Sequence, residues 1–254
     1  MPKVERTLKV DAVVLRHTDW GEADRLLTLY SREQGKLRVI AKGVRKIQSR
    51  KAGHLEPFTR ATIMLAKGHD LWIVTQAQSS ELYTAVREDL QKMSRAAYVV
   101  ELLDRFTYEE GPNWQLFQLL TDTLERISTL EDGFIPVKYY EMRLLDLLGF
   151  RPQLFECVAC GQTITARDQF FSADLGGVLC PKCAQRGESR RPVSVDALRF
   201  LRHIQRSDFR GALRVRPIED IRQEMDGLQL YYFTFLLERG LNTPEFIRQI
   251  HKTL

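Results

Sequence analysis

No stretch of this chain approaches the roughly 18 consecutive apolar residues that a membrane span requires, so no membrane-embedded segment is expected. The opening residues, MPKVERTLKVDAVVL, lack the apolar run and small-residue cleavage site of a secretory signal. A cytosolic location is therefore expected, where thiols stay reduced and paired cysteines favour metal over disulfide. GxxxxGK[ST], HExxH and GxSxG are all missing, which argues against a P-loop NTPase, a zinc metalloprotease and an α/β-hydrolase. The five histidines, at 17, 54, 69, 203 and 251, do not cluster. Asp19, Glu22 and Asp24 lie together near a turn, where turn chemistry explains them better than catalysis. No residue qualifies as catalytic, and nothing in the sequence gives a positive reason to expect an enzyme. Internal repeats and low-complexity tracts are also missing.

Cysteine is scarce, and all four copies fall into one pattern. Cys157-x2-Cys160 is followed, after nineteen residues, by Cys180-x2-Cys183. Each CxxC aims two thiolates at one tetrahedral ion, and this overall spacing is a zinc pattern. Four thiolates fill the coordination shell, so a single structural Zn2+ is expected, with no open position for a catalytic water. Gly161, Gly176 and Gly177 permit close backbone approach there. Two bland readings compete: four reduced cysteines without metal, and a dithiol redox site. Zinc is expected to fix the insertion 157–183 and leave the surrounding helices largely independent of it.

Acidic residues are missing from one segment. Between Gly35 and His54 stand Lys36, Arg38, Lys42, Arg45, Lys46, Arg50 and Lys51, with no Asp or Glu. The chain has 38 basic and 33 acidic residues; removing those seven leaves 31 against 33, so this segment carries the whole excess. Such a local field suits a polyanion, and these seven residues are the expected nucleic-acid contacts. The competing reading is a solvated, flexible loop. A second stripe, Arg199, Arg202, Arg206 and Arg210, has the spacing of one helix face and is a candidate auxiliary DNA contact, extended by Arg190 and Arg191. A solvated helix face explains it equally well. Trp20, Tyr30, Phe58 and Trp72 are each read as core rather than as stacking partners for bases.

The first 80 residues alternate in strand-like runs at 8–16, 24–30, 36–42, 60–66 and 70–78, separated by turn signals. Five short strands predict a small barrel over residues 1–79. Helical spacing follows over 80–110, then from a cap at Asn113, then from Pro136 to Gly149. Residues 151–192 carry the cysteines and little periodicity. Helices resume with a cap at Ser194 over 195–206, from Pro217 to Gly240, and from Thr243-Pro244-Glu245. The expected architecture is α+β: a five-stranded barrel, then a helical domain over 80–254 with a cysteine-bearing insertion.

These residues also resemble a known family. VDAVVLRHTDWGEADRLLTLYSREQGKLRVIAKGVRK near the start, and YYEMRLLDLLGFRPQLFECVACG with FFSADLGGVLCPKC in the middle, are similar to the RecO family of bacterial recombination mediators. The resemblance covers nearly the whole chain and is least distinctive over 190–254. It implies an OB-fold followed by a helical domain with a zinc finger held by Cys157, Cys160, Cys180 and Cys183. It implies binding of single- and double-stranded DNA and annealing of complementary strands without ATP. The implied partners are RecR, possibly RecF, and single-stranded DNA-binding protein, with RecA as the recombinase loaded, in a bacterial, nucleoid-associated setting. Two other functions remain open at this point: a zinc-ribbon transcription or RNA-binding factor, and a nucleic-acid hydrolase.

Overall fold

A computed structural model of the protein describes residues 6–109, 111–185, 190–238, 240–241 and 243–244. They fall into two compact units, divided along the chain between Glu131 and Asp132. The first unit opens with five strands: β1 (Thr7–Trp20), β2 (Asp24–Ser31), β3 (Gly35–Ala41), β4 (Arg60–Lys67) and β5 (Trp72–Glu81). They close a barrel in the order β1-β2-β3-β5-β4, with β1 also pairing to β4. All pairs are antiparallel except β3 with β5, where Val39 meets Trp72 and Ile40 meets Ile73. This is the expected five-stranded OB-type barrel. Alternation fills it: Val10, Ala12 and Val14, Leu27 and Leu29, Val39 and Ala41, and Ala61, Ile63 and Leu65 all belong to one buried cluster. A bulge after Val14 shifts the β1–β2 register.

The same unit continues through α1 (Thr84–Glu88), α2 (Leu90–Phe106) and α3 (Trp114–Thr129). The periodicity over 80–110 suggests one helix, but the chain makes three pieces. β5 runs on to Glu81, Tyr83 takes a left-handed conformation at φ 45°, and Asp89 is extended. Asp89 then caps α2 by accepting from the N–H groups of Gln91 and Lys92. Leu82 and Leu90, which fall on the apolar positions of that periodicity, are exposed. Asn113 caps α3 as its sequence position suggests, accepting from the Leu116 N–H.

The second unit contains α4 (Phe134–Leu147), β6 (Gln169–Ser172), β7 (Gly177–Leu179), α5 (Pro181–Ala184), β8 (Arg191–Val193), α6 (Val195–Arg206), α7 (Phe209–Ala212) and α8 (Glu219–Leu237). The segment before α6 is not structureless: β7, β6 and β8 form a small antiparallel sheet in that order. Ser194 caps α6 as expected. α8 stops at Leu237 rather than Gly240, because Glu238 turns left-handed at φ 53°. The helix expected from Thr243-Pro244-Glu245 lies largely outside the described residues. α4 is buried nearly all round, and Lys138 is held inside by Glu141 at 2.7 Å and Asp226 at 2.6 Å.

Candidate nucleic-acid interface and metal centre

The connection from Lys42 to Thr59 is long for a barrel of this size, yet it is pinned at several points. Val44 and Leu55 are buried in the barrel core. The Gly43 N–H donates to Asp24 Oδ1 at 2.7 Å, and the Arg45 N–H to the Ala23 carbonyl at 2.9 Å. One 3-10 turn, Ala52–His54, brings the His54 ring against Ser79 on β5 at 3.0 Å. The loop is thus held as a fixed structure rather than a floppy tether.

This framework divides the seven expected contacts into two groups. Lys51 donates to the carbonyls of Lys42 at 3.2 Å and Val74 at 3.0 Å; burial lowers its pKa, with Asp24 opposing. Lys36 leans onto the end of α2, pairing with Asp104 at 2.6 Å and donating to the Thr107 carbonyl at 3.0 Å. Arg45 is shared between Asp19, at 3.3 Å, and the Gly21 carbonyl, at 3.3 Å. The side chains of Arg38, Lys42, Lys46 and Arg50 are exposed and have no partner among the described residues. Of the seven expected contacts, these four are the ones left without a partner among the described residues. Asp19 and Asp24 serve as loop ties, which fits the turn-chemistry reading of that cluster.

The pairing of Lys36 carries its own consequence. Burial opposes ionisation of Asp104, but Lys36 and then Arg16, at 2.9 Å, outweigh it and hold the carboxyl below its ordinary 3.8. A depressed carboxyl stabilises the fold above its unfolded-state value, and that contribution is lost as pH falls through the folded-state value. Lys36→Ala is expected to cost about 2–3 kcal/mol at neutral pH, because Asp104 loses its main partner while staying half-buried. The variant's stability should also fall less steeply in acid. Urea unfolding at pH 7 and below pH 4 checks both, and equal stability of variant and parent at pH 7 would refute the assignment.

The aromatic residues of the barrel do not all behave as core. Tyr30 is buried, and Trp72 packs against the core cluster. Trp20 does not follow the core expectation: it is 57% exposed at the end of β1, beyond the last buried position of that strand.

The second basic stripe is also divided. α6 ends at Arg206, so Arg210 lies on α7 and not on a continuous face with the others. Arg202 donates to the Leu154 carbonyl at 2.7 Å and lies 5.2 Å from the Phe155 ring, over which Arg206 sits at 3.7 Å. These two arginines fasten the start of the cysteine insertion to α6, partly through cation–π contact. Arg191 donates to the Gly227 carbonyl at 3.2 Å. Arg199 is highly exposed and, among the described residues, pairs with Asp196.

The four cysteines converge. Their sulfur atoms all lie within 4.8 Å of one another. A tetrahedral ion with metal–sulfur bonds near 2.3 Å needs sulfurs about 3.8 Å apart, which small side-chain adjustments would reach. Two local turns do the positioning. In the first, the Cys157 N–H donates to Gln162 at 2.8 Å and the Gly161 N–H to Cys157 at 2.8 Å, with Gly161 at φ 71°. In the second, Cys180 precedes α5, Pro181 starts it, and the Ala184 N–H donates to the Cys180 carbonyl at 2.9 Å. β7 lies against the first turn through bonds from Val158 to Val178 and from Val178 to Gln153. A Cβ at Gly177 would meet Val158 Cγ1 at 2.5 Å and the Gln153 carbonyl at 2.6 Å, so glycine is required.

The thiol electrostatics suit a cation. Burial opposes the Cys157 thiolate, but the N–H groups of Cys180, Ala159 and Cys160 outweigh it and bring the thiol down to about 6. Hydrogen bonds to Cys180 and Cys160 push Cys183 up to about 12. The environment thus favours the thiolate at Cys157 and the protonated thiol at Cys183. A soft divalent cation competes with the protons and takes the sulfurs as thiolate ligands, offsetting part of their negative charge.

Comparison with known proteins agrees with this construction. Sequence models described as Recombination protein O N terminal and Recombination protein O C terminal match residues 5–83 and 87–245. A DNA repair protein RecO from Roseiflexus sp. (strain RS-1) is 38% identical over 252 residues, covering 98% of this chain and 88% of that protein. One from Pelotomaculum thermopropionicum is 37% identical over 239 residues, covering 94% and 93%. One from Dehalococcoides mccartyi (strain ATCC BAA-2266 / KCTC 15142 / 195) is 36% identical over 231 residues, covering 91% of each. With a barrel, a helical region and a cysteine cluster in the expected order, the chain belongs to the RecO family of DNA repair proteins.

Proposed function

We propose that the protein is a non-enzymatic recombination mediator that binds single- and double-stranded DNA and anneals complementary strands. On this reading it works with RecR, and possibly RecF, to load RecA where single-stranded DNA-binding protein covers the strand, in the bacterial cytoplasm at the nucleoid. The observation that carries it is the set of four cations without a partner among the described residues, Arg38 on β3 and Lys42, Lys46 and Arg50 on the pinned loop that follows it, in an OB-type barrel. Annealing brings two polyanions together, so its physical requirement is charge neutralisation without sequence preference. Contacts to phosphates meet that requirement and readout of bases does not. The ion held by the cysteines is proposed to be a single structural Zn2+, because four thiolates suit zinc and close its shell.

The test is annealing of complementary oligonucleotides by the parent and by a variant with all four cations changed to Ala. The parent should accelerate annealing and the variant should lose most of that acceleration. Undiminished annealing by the variant at moderate salt rejects the assignment. Parallel gel shifts with single strands, duplex and RNA, with Mg2+ present, address the alternatives. Preference for RNA would favour an RNA-binding factor, and cleaved product would favour a hydrolase.

A further inference from the structure

The rim of the barrel presents a second chemistry beside the cations. Trp20 stands 57% exposed at the end of β1, paired across the hairpin with Asp24. Ile47, midway along the cationic loop, is fully exposed. An indole gains more from burial than almost any other side chain, so one left in water on an ordered hairpin is an unusual placement.

The hairpin that carries Trp20 and the loop that carries the cations are tied together on both sides of the turn. Arg45 pairs with Asp19, the residue before Trp20, and donates to the carbonyl of Gly21, the residue after it. The Arg45 N–H reaches the Ala23 carbonyl, and the Gly43 N–H reaches Asp24. The hairpin itself is braced from below, where Arg25 pairs with Asp19 at 3.2 Å and Glu56 at 2.8 Å. The indole, more than half exposed, is thus carried on a hairpin tied to the stretch Gly43–Arg45 that lies between Lys42 and Lys46 in the chain.

We propose that Trp20 is a stacking site for one unpaired base of a single strand whose phosphates meet the loop cations. This deepens the reading given under Proposed function and rests on it. Phosphate contacts alone treat single strands and duplex alike in kind. An exposed indole does not: an unpaired base can lay its face on it, whereas a paired base has both faces within the helical stack. The site therefore accounts for a preference for single strands without preference for sequence, because every base has a face to offer. Charge decides the class of occupant. An exposed indole on a hairpin tied to a cation-rich loop that also exposes Ile47 suits an anionic ligand with flat apolar groups, which is single-stranded nucleic acid.

Fluorescence anisotropy with three probes tests it: an oligothymidine, the same strand made abasic throughout, and a duplex of equal length. Trp20→Ala should weaken oligothymidine binding roughly tenfold. It should leave abasic-strand and duplex binding unchanged, and Trp20→Phe should recover most of the loss. Trp114→Ala, which removes another exposed tryptophan, 65% accessible on the same unit, should change nothing. Equal loss on all three probes, equal loss in Trp114→Ala, or no loss in Trp20→Ala overturns the stacking site. The two readings fail separately. If the four-cation variant loses binding but Trp20→Ala does not, only the stacking site falls; if the four-cation variant binds normally, the phosphate reading itself falls.

Discussion

Removing the ion, by a strong chelator or by Cys157→Ser, is expected to unfold the cysteine segment while α4, α6 and α8 persist. Structural zinc in finger-sized units supplies apparent binding free energies of roughly 10–16 kcal/mol at neutral pH, and that energy is folding energy for the segment it organises. Here the segment has few apolar anchors of its own: Leu154, Ile164, Phe171, Val178 and Leu179 are its large buried side chains. Its two cysteine turns contain little else that would hold them in place. The helices have separate support, from Ser194 capping α6 and from Lys138 bridging α4 to α8. Hydrogen exchange should show protection lost first at Val158, Gly161, Val178 and Ala184, whose amides are bonded within and between the turns. Part of β6 should lag behind, because the Phe171 ring meets Tyr232 of α8 edge-on at 5.3 Å. DNA affinity should change little, since Arg38, Lys42, Lys46 and Arg50 lie in the other unit. Acid should reproduce the effect of the chelator, because protons compete for the thiolates. Loss of protection throughout α4 and α8 at the same chelator dose would show that the ion supports the whole unit, and the idea of an independent insert would fail.

The barrel and the metal site were legible in the sequence because each rests on a local, periodic signal. Alternation at Val10, Ala12 and Val14 or at Ala61, Ile63 and Leu65 needs no knowledge of distant residues, and CxxC spacing is itself the geometry of the turn. Features that depend on a remote partner were not legible. Lys36 reads like any other cation of its segment, and its partner Asp104 lies 68 positions away. Arg202 and Arg206 read as a solvated or DNA-facing stripe until Phe155 is placed beneath them. The supposed single helix over 80–110 shows a third kind of difficulty. Leu82, Val86 and Leu90 keep helical spacing, but periodicity does not register an interruption that preserves phase. Asp89 carried the signal, since an aspartate ahead of a new helical run is a preferred cap. Trp20 illustrates the opposite limit. Alternation predicts which face of a strand a residue takes, but not how far that strand runs past the core it covers.

The division of the basic segment yields the other large effect. If Arg38, Lys42, Lys46 and Arg50 each meet one phosphate, together they contribute about −2.8 to the slope of log K against log[salt] on single strands. Those four contacts alone would then weaken parental binding about fifty-fold between 50 and 200 mM salt. A variant with all four changed to Ala should bind much more weakly at low salt and respond far less to added salt, since it has lost the counterion release that salt opposes. Anisotropy titrations at four or five salt concentrations give both slopes. The contrast with Lys36 and Lys51 makes the prediction specific to geometry rather than to charge. Each carries the same formal charge in the same segment, but the Lys36 ammonium is held by Asp104 and Thr107, and that of Lys51 by the carbonyls of Lys42 and Val74. Releasing either for a phosphate would strand its present partners, so Lys36→Ala and Lys51→Ala should lower stability and leave the salt slope nearly unchanged. Were all seven basic residues interchangeable counter-charges, single substitutions would each reduce the slope by about 0.7 regardless of position. Finding that equal reduction at Lys36 would mean the loop opens on binding DNA and that the pinned arrangement is not the one that meets the strand.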